Sequence, residues 1–312
     1  MEIVDFNISL EEYQRSKGIK VSDQIYILEN DGFCVDYFDW LEEKKKYYGG
    51  FFKKHLKVFA DMRFRKKVTR HRAIFLGKKE KSYDKLNNLE EIYKKIGEIK
   101  TSKYILMIGK GDYEFTHDLL LGKPDNLVGI AANNINLDHS EVCYLPMGRD
   151  FRSKELFEKF GPTEDKPLIC YCNFSLNTHP VRKTVYQSIK NKDFVTFEHM
   201  GDFLNYSISR TEFFEKLSSS KFCLCPRGNA FDTFRMWDCL YVGTIPIVVK
   251  EAKFHNQIAD LPILFLESYD QYGEISKSYL EEQFDIMIKK KYNFQKLKLS
   301  YWQLQLESKL AH

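Results

Sequence analysis

The stretch from Ser220 to Lys250, SKFCLCPRGNAFDTFRMWDCLYVGTIPIVVK, constrains the fold of this chain more than any other. Lys221 to Leu224 is a short apolar run, broken by Pro226 and Gly228. Asn229 or Asp232 is placed to cap a helix that begins near Thr233. Gly243 stops that helix, and Ile245 to Val249 is a buried-strand run. The result is strand, glycine turn, helix and strand, the repeating unit of an α/β sheet. The turn offers backbone N–H groups at a helix N-terminus, flanked by Arg227 and Arg235. Such a place suits a phosphate or diphosphate.

The same alternation runs through the rest of the chain. Tyr104 to Ile108 is an apolar strand that enters a glycine turn carrying Asp112 and Glu114. Leu127 to Ala132 is a strand followed by Asn133 and Asn134, and Val142 to Leu145 is another, followed by Pro146, Gly148, Arg149 and Asp150. Strands that each end in a polar or glycine loop predict a doubly wound sheet with a cleft at its strand ends. The linker candidate is Gly161 to Pro167. Beyond it the pattern restarts, with strands at 168–174, 194–197 and 263–266 and helices from Val181, at 210–217 and at 279–289. A last helix is expected over 294–310. Between Lys44 and Arg72 the chain is basic, with Leu56, Phe59, Ala60 and Phe64 at helical spacing, which predicts an amphipathic helix with a solvated basic face. Arg182 and Lys183 fall in the first turn of their helix, where cations oppose the macrodipole unless an anion sits there.

Composition excludes several classes. A net charge of +4 over 312 residues is too small to imply nucleic acid by itself, and the basic segment alone leaves that reading open. No window reaches the length of an apolar membrane span, and the first residues, MEIVDFNISLEEY, are acidic with no apolar run behind them. The expectation is a cytoplasmic protein with neither signal peptide nor membrane anchor. Seven cysteines lack zinc-type spacing, and the pairs Cys170/Cys172 and Cys223/Cys225 read as small buried apolar residues on strands. Histidines are scattered with no metal-binding pattern, and neither a Walker loop nor a complete dinucleotide fingerprint occurs. No metal and no cofactor are expected.

On the helix after the glycine turn, Arg235 and Asp238 are three apart and share a face. Two readings stand: a cation for phosphates beside a carboxylate for ribose hydroxyls, or an intrahelical ion pair. The residues Ser220-Lys221-Phe222, Leu224, Pro226-Arg227-Gly228, Arg235, Asp238, Gly243 and Ile245-Pro246-Ile247 resemble the nucleotide-sugar motif of the exostosin-like glycosyltransferases. Asn173 to Tyr186 resembles the basic loop that precedes it, with Arg182 in the matching place. Resemblance in the first half is confined to Gly111 to Tyr113 and Pro146 to Gly148. Asp238 departs from the family, which usually has Glu there. The chain also departs from the anchored animal and plant members, and in this is similar to soluble forms of bacteria or large DNA (algal) viruses.

The resemblance implies a GT-B fold: two Rossmann-like domains with a cleft between them. The acceptor-binding domain is expected at 1–163 and the nucleotide-sugar-binding domain at 164–290, with a helix at 291–312 packing back on the first. It implies an inverting, metal-independent transfer from a nucleotide sugar to a hydroxyl of a glycan or glycoprotein acceptor. A UDP-sugar is the first choice of donor, with UDP-xylose a candidate. Arg182, Arg227, Arg235, Gly228, Asn229 and Thr233 would hold the diphosphate, and Asp238 and Pro226 the ribose and base. Asp112 is the candidate base, with Glu114 and Asp150 behind it, and Asn133, Asn134 and Arg149 would meet the acceptor. The alternatives are a non-catalytic nucleotide- or carbohydrate-binding module of the same fold, and a fucosyltransferase-like enzyme using GDP-fucose.

Overall fold

The computed structural model describes residues 7–20, 25–27, 58–60, 104–108, 114–150, 153–200 and 208–310, with isolated positions between them that include Asp112. Within these, the chain runs β1 (Asn7–Ser9), α1 (Leu10–Arg15), β2 (Tyr26–Ile27), β3 (Val58–Ala60), β4 (Tyr104–Ile108), β5 (Leu127–Ala132), β6 (Val142–Tyr144) and β7 (Arg149–Asp150). It continues through α2 (Lys154–Lys159), β8 (Leu168–Ser175), α3 (Pro180–Ile189), β9 (Val195–Met200), α4 (Arg210–Ser218), β10 (Ser220–Leu224), α5 (Phe234–Tyr241) and β11 (Ile245–Val249). It closes with β12 (Leu264–Leu266), α6 (Gln271–Glu274), α7 (Lys277–Met287), β13 (Lys291–Asn293) and α8 (Leu299–Leu310).

The chain divides into two compact units. One comprises Met1–Tyr26 and Gly148–Tyr301, and the other Ile27–Met147 and Trp302–His312. The division therefore falls at 147/148, not at the expected 163, and the N-terminal segment belongs with the C-terminal strands. β1 pairs antiparallel with β13, Ile8 opposite Tyr292. The Tyr13 hydroxyl donates to the Tyr241 carbonyl at 3.1 Å, and Gln14 Nε2 to that of Gly243 at 2.8 Å. The expected linker packs into this unit as well, since Pro162 lies against Gly243.

The larger unit is built on a five-stranded parallel sheet of order β12-β11-β10-β8-β9. Renumbered from β8, that order is 2-1-3-4-5, a doubly wound arrangement whose direction reverses between β8 and β10. Its strands are buried on both faces and therefore read as apolar runs: β11 is buried at every position. Trp237, Cys239 and Leu240 of α5 are wholly buried, as are Phe222 and Cys223 of β10. Lys166 ties the ends of the helices together, its ammonium donating to the carbonyl of Ser218 at 2.6 Å and to Thr244 Oγ1 at 3.2 Å. Gly243 has φ +71°, where a side chain is strained, and a Cβ there would stand 3.0 Å from Gln14 Cγ.

The other unit carries a four-stranded parallel sheet, β3-β4-β5-β6. The basic helix expected over 44–72 meets a correction here: Val58–Ala60 is a strand in register with Leu106 to Ile108. Pairing of an apolar triplet with a neighbouring strand overrides its helical spacing. The remainder of that segment, and the strand expected at 73–76, lie outside the described residues. The helix expected over 294–310 is interrupted: Phe294–Leu297 forms a 3-10 turn before α8 begins. Both units are α/β with parallel sheets, as the alternation of runs required.

Candidate functional site

The glycine turn stands at the carboxyl end of β10, beside the reversal between β8 and β10, where open α/β sheets place ligands. α5 starts at an N-cap corrected from Asn229 or Asp232 to Thr233, whose hydroxyl accepts from the Met236 N–H at 3.4 Å. Asp232 is taken by another task, accepting from the Trp237 indole N–H at 2.7 Å. The first turn of α5 has no acidic residue and instead carries Arg235. The helix dipole and the side chain thus add positive charge at one place.

Arg182 is buried, and its guanidinium is spent on the backbone of the site. Nε donates to the Arg227 carbonyl at 2.8 Å, Nη1 to that of Ser175 at 3.2 Å and Nη2 to that of Pro226 at 3.5 Å. Arg182 thereby pins the loop after β8 to the glycine turn after β10, with three of its five N–H groups. Gly228 is the residue that lets the two approach, since a Cβ there would lie 3.3 Å from Arg182 Nη2. Burial, and then the neighbouring charge of Arg235, pull the Arg182 pKa down to about 9. It remains a cation at neutral pH.

Arg227 is half-buried and curls over its own turn, with Nε to the Gly228 carbonyl at 3.1 Å and Nη2 to that of Asn229 at 2.7 Å. Its guanidinium rests 3.8 Å from the centroid of the Phe231 ring. Arg235 lies over Phe213, and its Nε is buried without a hydrogen-bond partner. His179 caps α3 through Nδ1, and burial followed by Arg227 and Arg182 lowers its pKa. Tyr269 bonds Glu251 nearby. Burial and that carboxylate raise its pKa, while Arg227 and Arg182 pull the other way. None of the three arginines forms an ion pair among the described residues. Cations gathered near a helix N-terminus suit a diphosphate.

Asp238 is 4% exposed, and its charge, like that of Arg149, bears on the hydroxyl of Tyr241. Arg149, expected to meet the acceptor, is 3% exposed and packs over the Phe157 ring within the larger unit. In the other unit Asn133 and Asn134 are also buried, at 4% and 0%. Asn133 Nδ2 donates to the Leu145 carbonyl, and Asn134 sits at φ +50°. The Asn133 amide thus joins the loops after β5 and β6, while the Asn134 carbonyl accepts from the Phe115 N–H at 3.0 Å. Asp112 and Glu114 are exposed beyond β4, and Glu114 accepts from Asn136 Nδ2. The side chain of Asp150 lies outside the described residues. Sequence reasoning passed over Asn136, Tyr269 and Glu251, none of which belongs to a recognisable spacing, and gave Asn173 and His179 no role of their own within the stretch Asn173 to Tyr186.

Among the described residues one set of side chains is close enough to share a metal ion: the thiols of Cys223, Cys225 and Cys239, within 4.8 Å of one another. All three are buried, and burial holds Cys225 and Cys239 well above the usual thiol range. No helix among the described residues is long and apolar enough to cross a membrane.

Residues 163–271 match the family model of the Exostosin GT47 domain. A probable glycosyltransferase of Arabidopsis thaliana is 31% identical over 62 residues, covering 20% of this chain and 12% of that protein. The chain thus spans about an eighth of that relative's length. Among solved structures, an α1,3-fucosyltransferase aligns over 83% of this chain and 91% of its own, at 14% identity and a TM-score of 0.47. An E. coli structure described as trehalose-6-phosphate bound with UDP-2-fluoro glucose covers 73% and 78% of the two chains, at 9% identity and 0.38.

Proposed function

We propose that this chain, an exostosin-like glycosyltransferase by its GT47 domain at 163–271, transfers a sugar from a nucleoside-diphosphate sugar to an acceptor hydroxyl. One observation carries the reading: Arg182, Arg227 and Arg235 gather near the N-terminus of α5 with no ion pair among the described residues, inside the segment that matches the family. In this reading Arg227, Arg235 and the N–H groups of the first helical turn bind the diphosphate. The acceptor oxygen attacks the anomeric carbon, the bond from that carbon to the phosphate oxygen breaks, and the nucleoside diphosphate departs. Negative charge grows on its phosphate oxygens as the bond breaks, and fixed cations stabilise that state more than the ground state. Because this charge is supplied by side chains and a helix end, the proposed reaction is metal-independent. In-line attack makes it inverting.

The acceptor proton needs a base. We assign it to Asp112 in the first place, with Glu114 behind it, because both follow β4 at a strand end; Asp150, the third candidate, lies in β7. The proposed donor is a UDP-sugar, with UDP-xylose first in the panel, and the proposed acceptor is a glycan or glycoprotein hydroxyl. The test is a thermal-shift panel of UDP- and GDP-sugars, followed by turnover assays with those that bind. A UDP-sugar should raise the melting temperature and be consumed. If no nucleotide sugar or nucleoside diphosphate shifts melting at millimolar concentration, the proposed function is wrong.

A further inference from the structure

Asn173 is the second-last residue but one of β8 before the ligand end of the sheet, and it is 0% exposed. Neither Oδ1 nor Nδ2 of its carboxamide has a hydrogen-bond partner. The side chain approaches the oxygen of the Tyr171 hydroxyl, whose own proton goes to Glu198 Oε2 at 2.8 Å. A buried amide left unmatched costs about 1–3 kcal/mol, so a folded chain retains one where something else completes it. Its place is informative. β8 and β10 flank the point where the strand order reverses, and their register, Tyr171 beside Cys223, carries Asn173 next to Cys225 when continued by two residues. Cys225 leads directly into Pro226-Arg227-Gly228.

A second orphan lies on the same side. Arg235 Nε is buried and unpartnered. The Arg235 guanidinium stands 5.9 Å from the centroid of the Phe213 ring, which in turn lies 6.0 Å from that of Tyr171, two residues before Asn173 on β8 and so on the same face of the sheet. A carboxamide and a guanidinium, both with unused donors, therefore converge beside a helix N-terminus that already favours anions.

We propose that Asn173 and Arg235 form a ligand subsite at the strand reversal, in which the Asn173 amide and the Arg235 guanidinium bind the diphosphate of a nucleotide sugar. This rests on the proposed function and extends it to a residue outside the glycine-turn motif. Asn173 donates through Nδ2 to a phosphate oxygen, and its Oδ1 accepts from a donor-sugar hydroxyl.

The probe is inorganic pyrophosphate, with UDP and GDP in parallel, titrated calorimetrically into the full chain. Asn173→Ala should bind pyrophosphate about 10-fold more weakly, the effect of one hydrogen bond to a charged group. Its ligand-free melting temperature should stay the same or rise, because the unmatched amide is gone. Asn173→Asp should bind no pyrophosphate at the same concentrations, since a carboxylate repels it. In the Asn173→Ala/Arg235→Ala double variant the losses should be less than additive, as for groups on one ligand. Wild-type affinity in Asn173→Ala, or a lowered ligand-free melting temperature with affinity unchanged, overturns the proposal and marks Asn173 as structural. If the alanine variant does not fold, the near-isosteric Asn173→Leu carries the same test. The two readings fail separately: a wild-type chain that binds no nucleotide sugar refutes the function, while one that binds it equally well with Asn173→Ala refutes only the subsite.

Discussion

Replacing Arg182 by alanine should unfold the site before it weakens a ligand. The guanidinium supplies hydrogen bonds to the carbonyls of Arg227, Ser175 and Pro226, of which the first two, at 2.8 and 3.2 Å, are of ordinary strength. A hydrogen bond to a charged donor contributes about 1.5–3 kcal/mol, and each carbonyl orphaned in a buried place costs a similar amount. Against this stands the cost of burying the cation, visible in a pKa drawn down to about 9. Two good bonds, less that penalty, leave a destabilisation of about 2–4 kcal/mol. With a urea m-value of about 3 kcal/mol/M, the midpoint falls by about 1 M. Arg182→Lys should recover little, because an ammonium at the end of a flexible stem cannot span carbonyls from two loops as a planar fork does. Urea unfolding of both variants, followed by tryptophan fluorescence, decides the matter. If Arg182→Ala shifts the midpoint by less than about 0.3 M while pyrophosphate affinity collapses, and if lysine restores that affinity, then Arg182 is a ligand group and not the clamp of the loop.

Other residues of the site and its frame give separate outcomes. Arg227→Ala should weaken UDP or pyrophosphate binding by about 30-fold, near 2 kcal/mol, with a stability change below about 1 kcal/mol, as calorimetry and urea unfolding will show. Gly243→Ala should cost about 1–3 kcal/mol in unfolding, since φ is +71° and the new Cβ would meet Gln14 and Pro162. His255 is buried with its pKa pulled down to about 4, first by burial and then by Lys250. The unfolded chain, near 6.5, takes up that proton first, so stability is complete above pH 6.5 and is lost as pH falls toward 4, by about 3 kcal/mol. Unfolding of His255→Phe across pH 4–7 should show a shallower acid slope than wild type, and an equal slope would contradict the assignment.

How much of this was legible in the sequence depends on whether a feature is satisfied locally. The unit from β10 through α5 to β11 is: its turn, its stop at Gly243 and its buried run are each set by neighbours within a few residues, and Ile245–Val249 emerged with the boundaries expected. The cap moved from Asp232 to Thr233 because the Asp232 carboxylate accepts from the Trp237 indole N–H at 2.7 Å, a contact that no spacing rule announces. The N-terminal segment was misplaced for a related reason. Nothing in Asn7–Ser9 announces that its partner is Lys291–Asn293, nor that Tyr13 will meet Tyr241. Long-range pairing of short strands leaves no local period to read.

The site divides along the same line, and the division says which of its residues to trust as ligands. Arg182, Arg227 and Arg235 were visible as cations near a glycine turn, but sequence cannot tell a cation that holds the turn from one that waits for an anion. Hydrogen bonding separates them: Arg182 has carbonyls on all three nitrogens, Arg227 has them on two, and Arg235 leaves a buried Nε unmet. The same accounting turns Asn173, a polar residue inside an apolar strand, from an oddity into the strongest claim on a ligand. Buried donors that the fold does not use must be matched by something, and Asn173 stands beside the reversal of a doubly wound sheet, where such folds place their ligands.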